Sequence, residues 1–451
     1  MSPLFVMAFF MTGNFLMITW QKEVEDLRKI GKFARFKSSS GDMKPTKYLA
    51  IALMAMCMLS FSSCNCCNKD EKARYIFLFI GDGMGCQNVA VTESYLSYKA
   101  GKLGGEQLTF TQFPCYGMAN TYSADKAITC SSASGTAIST GTKTNNTFIG
   151  VDPEGNKLKS ISYELQEMGY NIGIMSSVPV NHATPAAFYT TSGLRYSYYD
   201  ITKTLPESGF KFLAGSGFID YFGKDGKQQS SAEYVEQNGY KVCFGQEEFE
   251  KAGKDERIVL CQPYNKDCEP GNYDIGGPTP DGHIRLKTVL EDGISFLGEE
   301  KPFFIMCEGG DIDWAAHANM TMPTVMSMLE FDEAVAVAVD FYRKHPDETL
   351  IIVTADHETG GASLGCGYDY REDLDWAYID SVYTASGMTC KLDTKQNKAL
   401  NDKANIGWTS SNHTGGPVPV YAIGKGAERF CGRMDNTQIK GKIMAEEPVK
   451  K

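Results

Sequence analysis

The segment Glu308-Gly-Gly-Asp-Ile-Asp313-Trp-Ala-Ala-His317 carries the sharpest chemical signal in the chain. If a helix begins near Asp313, that carboxylate and His317 lie four residues apart on one face and can hold one metal ion together. An exposed i,i+4 contact is the plainer account of such a pair standing alone, so its neighbours decide. Thr354-Ala-Asp356-His357 follows the apolar run Leu-Ile-Ile-Val, and past a strand end the pleat no longer forces adjacent side chains onto opposite faces. Asp356 and His357 can therefore enter one cleft. Asp82 sits in Gly81-Asp-Gly-Met-Gly85, where the flanking glycines allow a sharp turn that brings a carboxylate beside a ligand. His413 lies in a turn, Asn412-His-Thr-Gly-Gly416. Taken singly, these last two are weak: Gly-Asp-Gly is more often a plain turn, and a loop histidine is usually polar surface. The chain has only 6 histidines, however, and His317, His357 and His413 all fall beside carboxylates or glycine turns at strand ends. Asp, Glu and His without thiolates suit zinc in mixed nitrogen and oxygen sites, and an oxygen-only pocket suits magnesium. Two neighbouring metals suit phosphoryl transfer.

A nucleophile candidate comes from Ile128-Thr-Cys-Ser131-Ser-Ala-Ser-Gly135-Thr-Ala. Its small residues open a helix, and a helix N-terminus favours an anion. The alternative is a Ser/Thr-rich helix start with no chemistry. Two rival motifs fail. A P-loop needs Gly-Lys adjacent where Gly141-Thr142-Lys143 stands, and a cysteine phosphatase needs Arg where Thr136 follows Cys130. Arg195, in Ser192-Gly-Leu-Arg-Tyr196, could fork two oxygens of a phosphate, although an isolated arginine is more often a surface charge.

These residues need strands to carry them. Short apolar runs at Tyr75–Ile80, Ile172–Met175, Arg257–Cys261, Phe303–Met306, Leu350–Val353 and Pro419–Ile423 read as buried strands. Helical patterns such as Ser160–Met168 and Met326–Tyr342 alternate with them, which predicts a largely parallel sheet covered by helices on both faces. Asp82, Glu308 to Asp313, and Asp356-His357 each follow a strand, where open α/β sheets place their ligands. The polar stretch from about 367 to 410 reads as an insertion near the cleft.

A formal net charge of −11 argues against tracking nucleic acid or an anionic membrane by bulk electrostatics. Hydrophobic residues at 42% and charged residues at 22% exclude disorder and a multi-span membrane protein. Residues 43–64 read as a lipoprotein-type signal: Lys44 and Lys47, then the apolar run Tyr48 to Leu59, then Ser62-Ser63-Cys64. That run is too short to span a membrane, which takes ~20 residues. The expectation is translation from Met43, residues 1–42 as an upstream extension, a lipidated Cys64, a linker over 65–74, and a catalytic domain over 75–451 in an exported protein, periplasmic or anchored at the bacterial envelope. A plainly cleaved signal is the alternative. Of the 14 cysteines, Cys57, Cys64, Cys66 and Cys67 cluster around the signal. Pairs among Cys243, Cys261, Cys268, Cys366, Cys390 and Cys431 are open in an oxidising compartment, and spacing does not assign them.

From about Tyr75 to Ile423, in order, these segments resemble the alkaline phosphatases, in the bacterial branch with a Thr-Ala-Asp-His-Glu-Thr-Gly-Gly segment. The resemblance implies a three-layer α/β/α sandwich with a crown-like insertion, and many members are homodimers. It implies hydrolysis of small phosphate monoesters with Ser131 as the nucleophile that becomes phosphoserine, and Arg195 as the phosphate clamp. Asp313, His317 and His413 look like the ligands of one zinc, and Asp356 and His357, with Asp82, those of a second. Asp82, Thr184 and Glu308 look like a magnesium site, with His182 and Trp314 beside the ligands at positions where members differ in metal preference. Cys130 stands where many members carry an aspartate, which predicts a more mobile Arg195. A related phosphodiesterase, or a non-catalytic exported metal- or phosphate-binding protein, would share the frame. A sulfatase would need Cys-x-Pro-x-Arg, which Cys130-Ser-Ser-Ala-Ser does not supply.

Overall fold

The computed structural model describes residues 72–263, 282–367, 371–386, 392 and 394–446. The expected upstream extension, signal, Cys64 and most of the linker, together with Cys268 and Cys390, lie outside the described residues.

Ten strands form one sheet: β1 (Tyr75–Gly81), β2 (Cys115–Asn120), β3 (Asn171–Ser176), β4 (Phe212–Gly215), β5 (Lys241–Phe244), β6 (Ile258–Cys261), β7 (Phe303–Gly309), β8 (Thr349–Thr354), β9 (Val418–Gly424) and β10 (Gly432–Asp435). Their spatial order is β10-β2-β9-β8-β1-β7-β3-β4-β6-β5. Every pairing is parallel except the two made by β9. All six expected strands are present.

The sequence Tyr-Ile-Phe-Leu-Phe-Ile-Gly of β1 is buried throughout, as a strand covered on both faces must be. Phe77 and Phe79 point one way, onto Phe341 and Phe331 at centroid distances of 5.5 and 5.9 Å. Those two rings belong to the helix Thr321–Lys344. Ile76, Leu78 and Ile80 alternate with them and are equally buried, so the other face is covered too. Helices pack as two groups, one including Cys86–Lys99, Leu286–Leu297 and Thr321–Lys344, the other Ser131–Thr140, Ile161–Glu167 and Gln438–Ile443. The three-layer α/β/α arrangement is therefore present. Within the expected insertion, helices Trp376–Ala385 and Thr394–Ala404 and the strand Ile406–Trp408 gather Trp376, Ile379, Leu400 and Ile406 into a small second core. Ile406–Trp408 pairs antiparallel with Ala362–Leu364, which tethers the insertion just beyond β8. Among the described residues no helix is long and apolar enough to cross a membrane.

The cysteine expectation needs correction. Cys431 is bridged to Cys115, which was not among the candidates, while Cys243 and Cys366 are free. Cys243 and Cys261 sit on adjacent strands, but the register pairs Cys243 with Leu260 and Phe244 with Cys261. Their side chains thus leave opposite faces of the sheet. The bridge joins the start of β2 to the residue before β10 and closes a loop of 316 residues. Replacing both cysteines by serine should lower unfolding stability by ~2–5 kcal/mol. Denaturant midpoints with and without reductant check this; a wild-type midpoint that ignores reductant would remove the bridge from the account of stability.

Candidate metal centre

Four neighbouring parallel strands, β8, β1, β7 and β3, end on the same edge of the sheet, and the polar residues gather there. Asp82 follows β1, and Gly83 behind it has φ +70°, a conformation open to glycine. A Cβ at Gly83 would also stand 2.9 Å from Asp313 Oδ1 and Thr359 Oγ1. Gly83 N–H donates to Asp356 Oδ1 (3.2 Å), so the turn presents Asp82 and anchors its neighbour. Glu308 lies within β7, and its carboxylate accepts a hydrogen bond from Ser176 at the end of β3. A helix does begin by Asp313, spanning Asp311–His317. Asp313 Oδ2 is 3.4 Å from His317 Nε2 and its Oδ1 is 3.8 Å from His413 Nε2. Past the end of β8, Asp356 and His357 both turn into the cluster, with His357 Nε2 3.4 Å from Asp82 Oδ1 and 3.2 Å from Asp356 Oδ2. His413 belongs to a two-residue strand paired with Glu358–Thr359, and its ring stacks on that of His357 at 3.6 Å.

The histidines are oriented by their other nitrogens. His317 Nδ1 lies 2.8 Å from the Ser411 carbonyl, and His413 Nδ1 lies 2.8 Å from that of Thr129. A carbonyl only accepts, so both Nδ1 atoms carry a proton and both Nε2 atoms are turned toward Asp313, where each would offer a lone pair to a cation standing between them.

Three groups can each hold a cation, with donor atoms within 4.8 Å of one another: Asp313, His317 and His413; Asp82, Asp356 and His357; and Asp82, His182 and Glu308. The first two match the sets expected from the sequence. The third adds His182 to Asp82 and Glu308. Thr184, whose hydroxyl donates to Asp82 Oδ2 at 3.4 Å, stands beside them. His182 precedes Thr184 by two residues in His-Ala-Thr, the only signal that could have raised it from neighbour to candidate ligand. Its ring meets Trp314 edge-on at 5.8 Å.

Electrostatics show what the cluster lacks. Burial, reinforced by the charge of Asp356, pushes the Asp82 carboxyl well above the usual range. Burial likewise carries Glu308 to about 8, and burial with the Asp313 charge carries Asp356 to about 7. Burial also works against an ionised Asp313, but the His317 hydrogen bond and the three imidazoles overcome it and hold that carboxyl low. Burial, then His413, keeps His357 neutral. Asp82 Oδ1, Glu308 Oε1, Asp356 Oδ2 and His182 Nδ1 are buried without a hydrogen-bond partner. Such atoms need a partner, and convergent buried carboxylates beside neutral imidazoles fit divalent cations.

Ser131 opens the helix Ser131–Thr140, and its Oγ lies 3.2 Å from His357 Nε2. Arg195 has contacts that Cys130 does not supply. Its backbone N–H donates to the Thr147 carbonyl (2.9 Å), Nη2 meets His182 Nε2 at 3.3 Å, and the guanidinium lies over the Tyr196 ring at 5.5 Å. Burial opposes ionisation of the Cys130 thiol, yet Arg195 and the Ser132 hydroxyl bring it below its usual value. The site thus joins a serine at a helix N-terminus, a fixed guanidinium and three cation-binding groups.

The chain is similar to known proteins. The family model described as "Alkaline phosphatase" matches residues 73–216 and 279–447. Alkaline phosphatase 4 of Bacillus subtilis is 29% identical over 91% of this chain and 97% of its own length, and alkaline phosphatase 3 of the same organism is 31% identical over 82% and 88%. The crystal structure of a cold-active alkaline phosphatase from a psychrophilic Shewanella matches 83% of this chain and 100% of that one at 27% identity, with a TM-score of 0.70. The alkaline phosphatase of the Antarctic bacterium TAB5 gives 0.65 at 28% identity, covering 83% and 98%, and a variant of it holds Mg in its M3 site. A parallel sheet ending in this cluster, with the family match over both halves of the domain, makes the chain a member of the alkaline phosphatase family, a metal-binding hydrolase of phosphate monoesters.

Proposed function

We propose that the hydrolysis runs through a phosphoserine on Ser131, with zinc held by Asp313, His317 and His413 and by Asp82, Asp356 and His357, and magnesium held by Asp82, Thr184 and Glu308 with His182 alongside. The observation that carries the reading is the placement of Ser131 Oγ, at the positive end of a ten-residue helix and 3.2 Å from one member of a cation-binding group. When bound, the metals supply Lewis-acid charge that balances the carboxylates and attracts an anionic ester to an acidic chain. Arg195 holds two non-bridging phosphoryl oxygens with its fork. The Ser131 oxygen forms a bond to phosphorus as the ester P–O bond breaks; the serine proton passes to solvent and the leaving alkoxide is protonated there. Water then cleaves the seryl P–O bond, returning Ser131 and inorganic phosphate. The Mg in the M3 site of the TAB5 variant supports magnesium as the third ion here. The reading extends to an exported protein anchored through Cys64, supported by the signal pattern at 43–64, and to a homodimer.

Acid quenching during turnover should trap one phosphoserine per site, and peptide mapping should find it at Ser131. Ser131→Ala should lose at least ~10²-fold in kcat. Phosphate on Ser132 instead would move the assignment by one residue, and none on either would sink the covalent route. Chelation should abolish activity, and zinc with magnesium should restore it. The metal-free protein should also weaken with rising pH. Carboxyls whose folded pKa is raised stabilise the fold only while protonated, so their contribution is complete below the ordinary value near 4 and is lost through about 7 for Asp356 and about 8 for Glu308. Melting temperatures of metal-free protein from pH 5 to 8 should fall, and metal should remove most of the slope. A flat metal-free profile would contradict the proposed charge crowding.

A further inference from the structure

We propose that Asn436 and Ser134 are positioning residues that set the Asp356–His357 peptide, and with it two ligands of one cation group, through a buried hydrogen-bond relay that starts at Lys143. The proposal rests on the reading of Asp356 and His357 as metal ligands.

That peptide is the weak point of the site. β8 ends at Thr354, so the sheet ladder no longer holds the chain where it must deliver two adjacent side chains into one cluster. The His357 N–H turns back to Asp356's own Oδ1 (2.9 Å), which leaves the Asp356 carbonyl as the handle on the peptide plane. Ser134 takes it: its hydroxyl donates to the Asp356 carbonyl oxygen at 2.6 Å. Ser134 lies one helical turn beyond Ser131 in the same helix, so one rigid element carries both the nucleophile and the clamp on the metal ligands.

A serine in a helix can instead donate to the carbonyl four residues back, and that option would release Asp356. Asn436 biases the choice. Its Nδ2 donates to Ser134 Oγ at 2.9 Å, which occupies a lone pair and turns the hydroxyl hydrogen outward. The amide of Asn436 has a definite orientation because Lys143 Nζ, 2.7 Å from Oδ1, can only donate. Lys143 is pinned in turn by Asp435 Oδ1 at 3.2 Å and lies over the Tyr122 ring at 4.0 Å. The Gly-Thr-Lys segment that fails as a P-loop thus has work here. Asn436 itself is fixed by its backbone N–H, which donates to the Asn120 carbonyl at 3.0 Å, just past the strand that the Cys115–Cys431 bridge staples to β2. Asn436 is fully buried and Ser134 nearly so, so water does not compete for these bonds.

Asn436→Asp isolates the direction of the relay. It keeps shape and the acceptor for Lys143, removes the N–H donor, and offers a carboxylate that draws the Ser134 hydroxyl off Asp356. Zinc held by the folded protein, measured by chelator competition and elemental analysis, should weaken about 10- to 100-fold. At saturating zinc, kcat should fall about tenfold while KM for an aryl phosphate changes less than about twofold, because Arg195 is untouched. Ser134→Ala should do the same, and the double variant should be no worse than the poorer single, since both break one chain. Lys143→Met, which frees the amide to flip, should give a smaller loss in the same direction and serves if the buried variants fold poorly. Arg433→Ala removes only an exposed side-chain bond to Asn120 Oδ1 on the same strand and should keep wild-type metal affinity. Wild-type zinc affinity and kcat in folded Asn436→Asp and Lys143→Met would overturn the relay. An equal loss in Arg433→Ala would overturn it too, by reducing it to general loosening of the strand end. Wild-type protein that holds no zinc would overturn the metal reading itself, a result distinguishable from either.

Discussion

Four carboxylates, Asp82, Glu308, Asp313 and Asp356, are buried at one place with little positive charge from the chain beside them. Taking even one ionised carboxylate out of water costs several kcal/mol after relaxation, and four together add mutual repulsion. Left alone, such a cluster would protonate or open. The raised pKa values of Asp82, Glu308 and Asp356 are the first response. Divalent cations are the second: the carboxylate field that strains the metal-free chain draws them in, and under the proposed reading their charge attracts a phosphate dianion. Stability and function therefore meet in one electrostatic term.

Holding that cluster in place falls to the sheet. Parallel neighbours stand ~4.8 Å apart, so residues just beyond the ends of β8, β1, β7 and β3 arrive within coordination reach of one another without long loops. The register makes this concrete: Ile80 faces Thr354 on one side and Glu308 on the other, and Ser176 faces Glu308 in turn. A one-residue slip of β7 would carry Glu308 to the opposite face and empty the third group. The all-apolar strands and the Phe77, Phe79, Phe331 and Phe341 packing are what forbid that slip.

The same physics explains what the sequence made legible. Strands buried on both faces appear as unbroken apolar runs, and each catalytic segment follows one, so β1, β7, β8 and their ligands could be read directly. Four strands left no such mark. Phe212–Gly215 and Lys241–Phe244 are only four residues long, Cys115–Asn120 alternates buried and exposed positions, and Gly432–Asp435 is polar at the sheet edge. The Cys115–Cys431 bridge depends on β2 and β10 being neighbours, so it was unreadable once those strands were missed. His182 could be named as a neighbour but not as a possible ligand, because its ring direction comes from the Trp314 contact and a helical turn over 183–186. Arg195 reads as an isolated arginine in the sequence because His182 reaches it only through the fold.

Histidine tautomers tie the remaining parts together. His317 donates its Nδ1 hydrogen to the Ser411 carbonyl, in the segment that closes the insertion, and His413 donates its own to that of Thr129, two residues before Ser131. One group of ligands is thus oriented by two separate loops, and one of those loops carries the serine. Displacing Thr129 would turn His413, whose ring also stacks on His357, so a shift near Ser131 reaches two of the candidate cation groups through a single imidazole. The insertion takes part through Ser410 as well, whose carbonyl accepts from Asn319 just past the helix of Asp313 and His317. The 367–410 segment is accordingly more than an added cap. Ser411, the residue just past its end, sets the proton position on His317, so the small core that Trp376 and Ile406 build within the segment bears on the orientation of that ring.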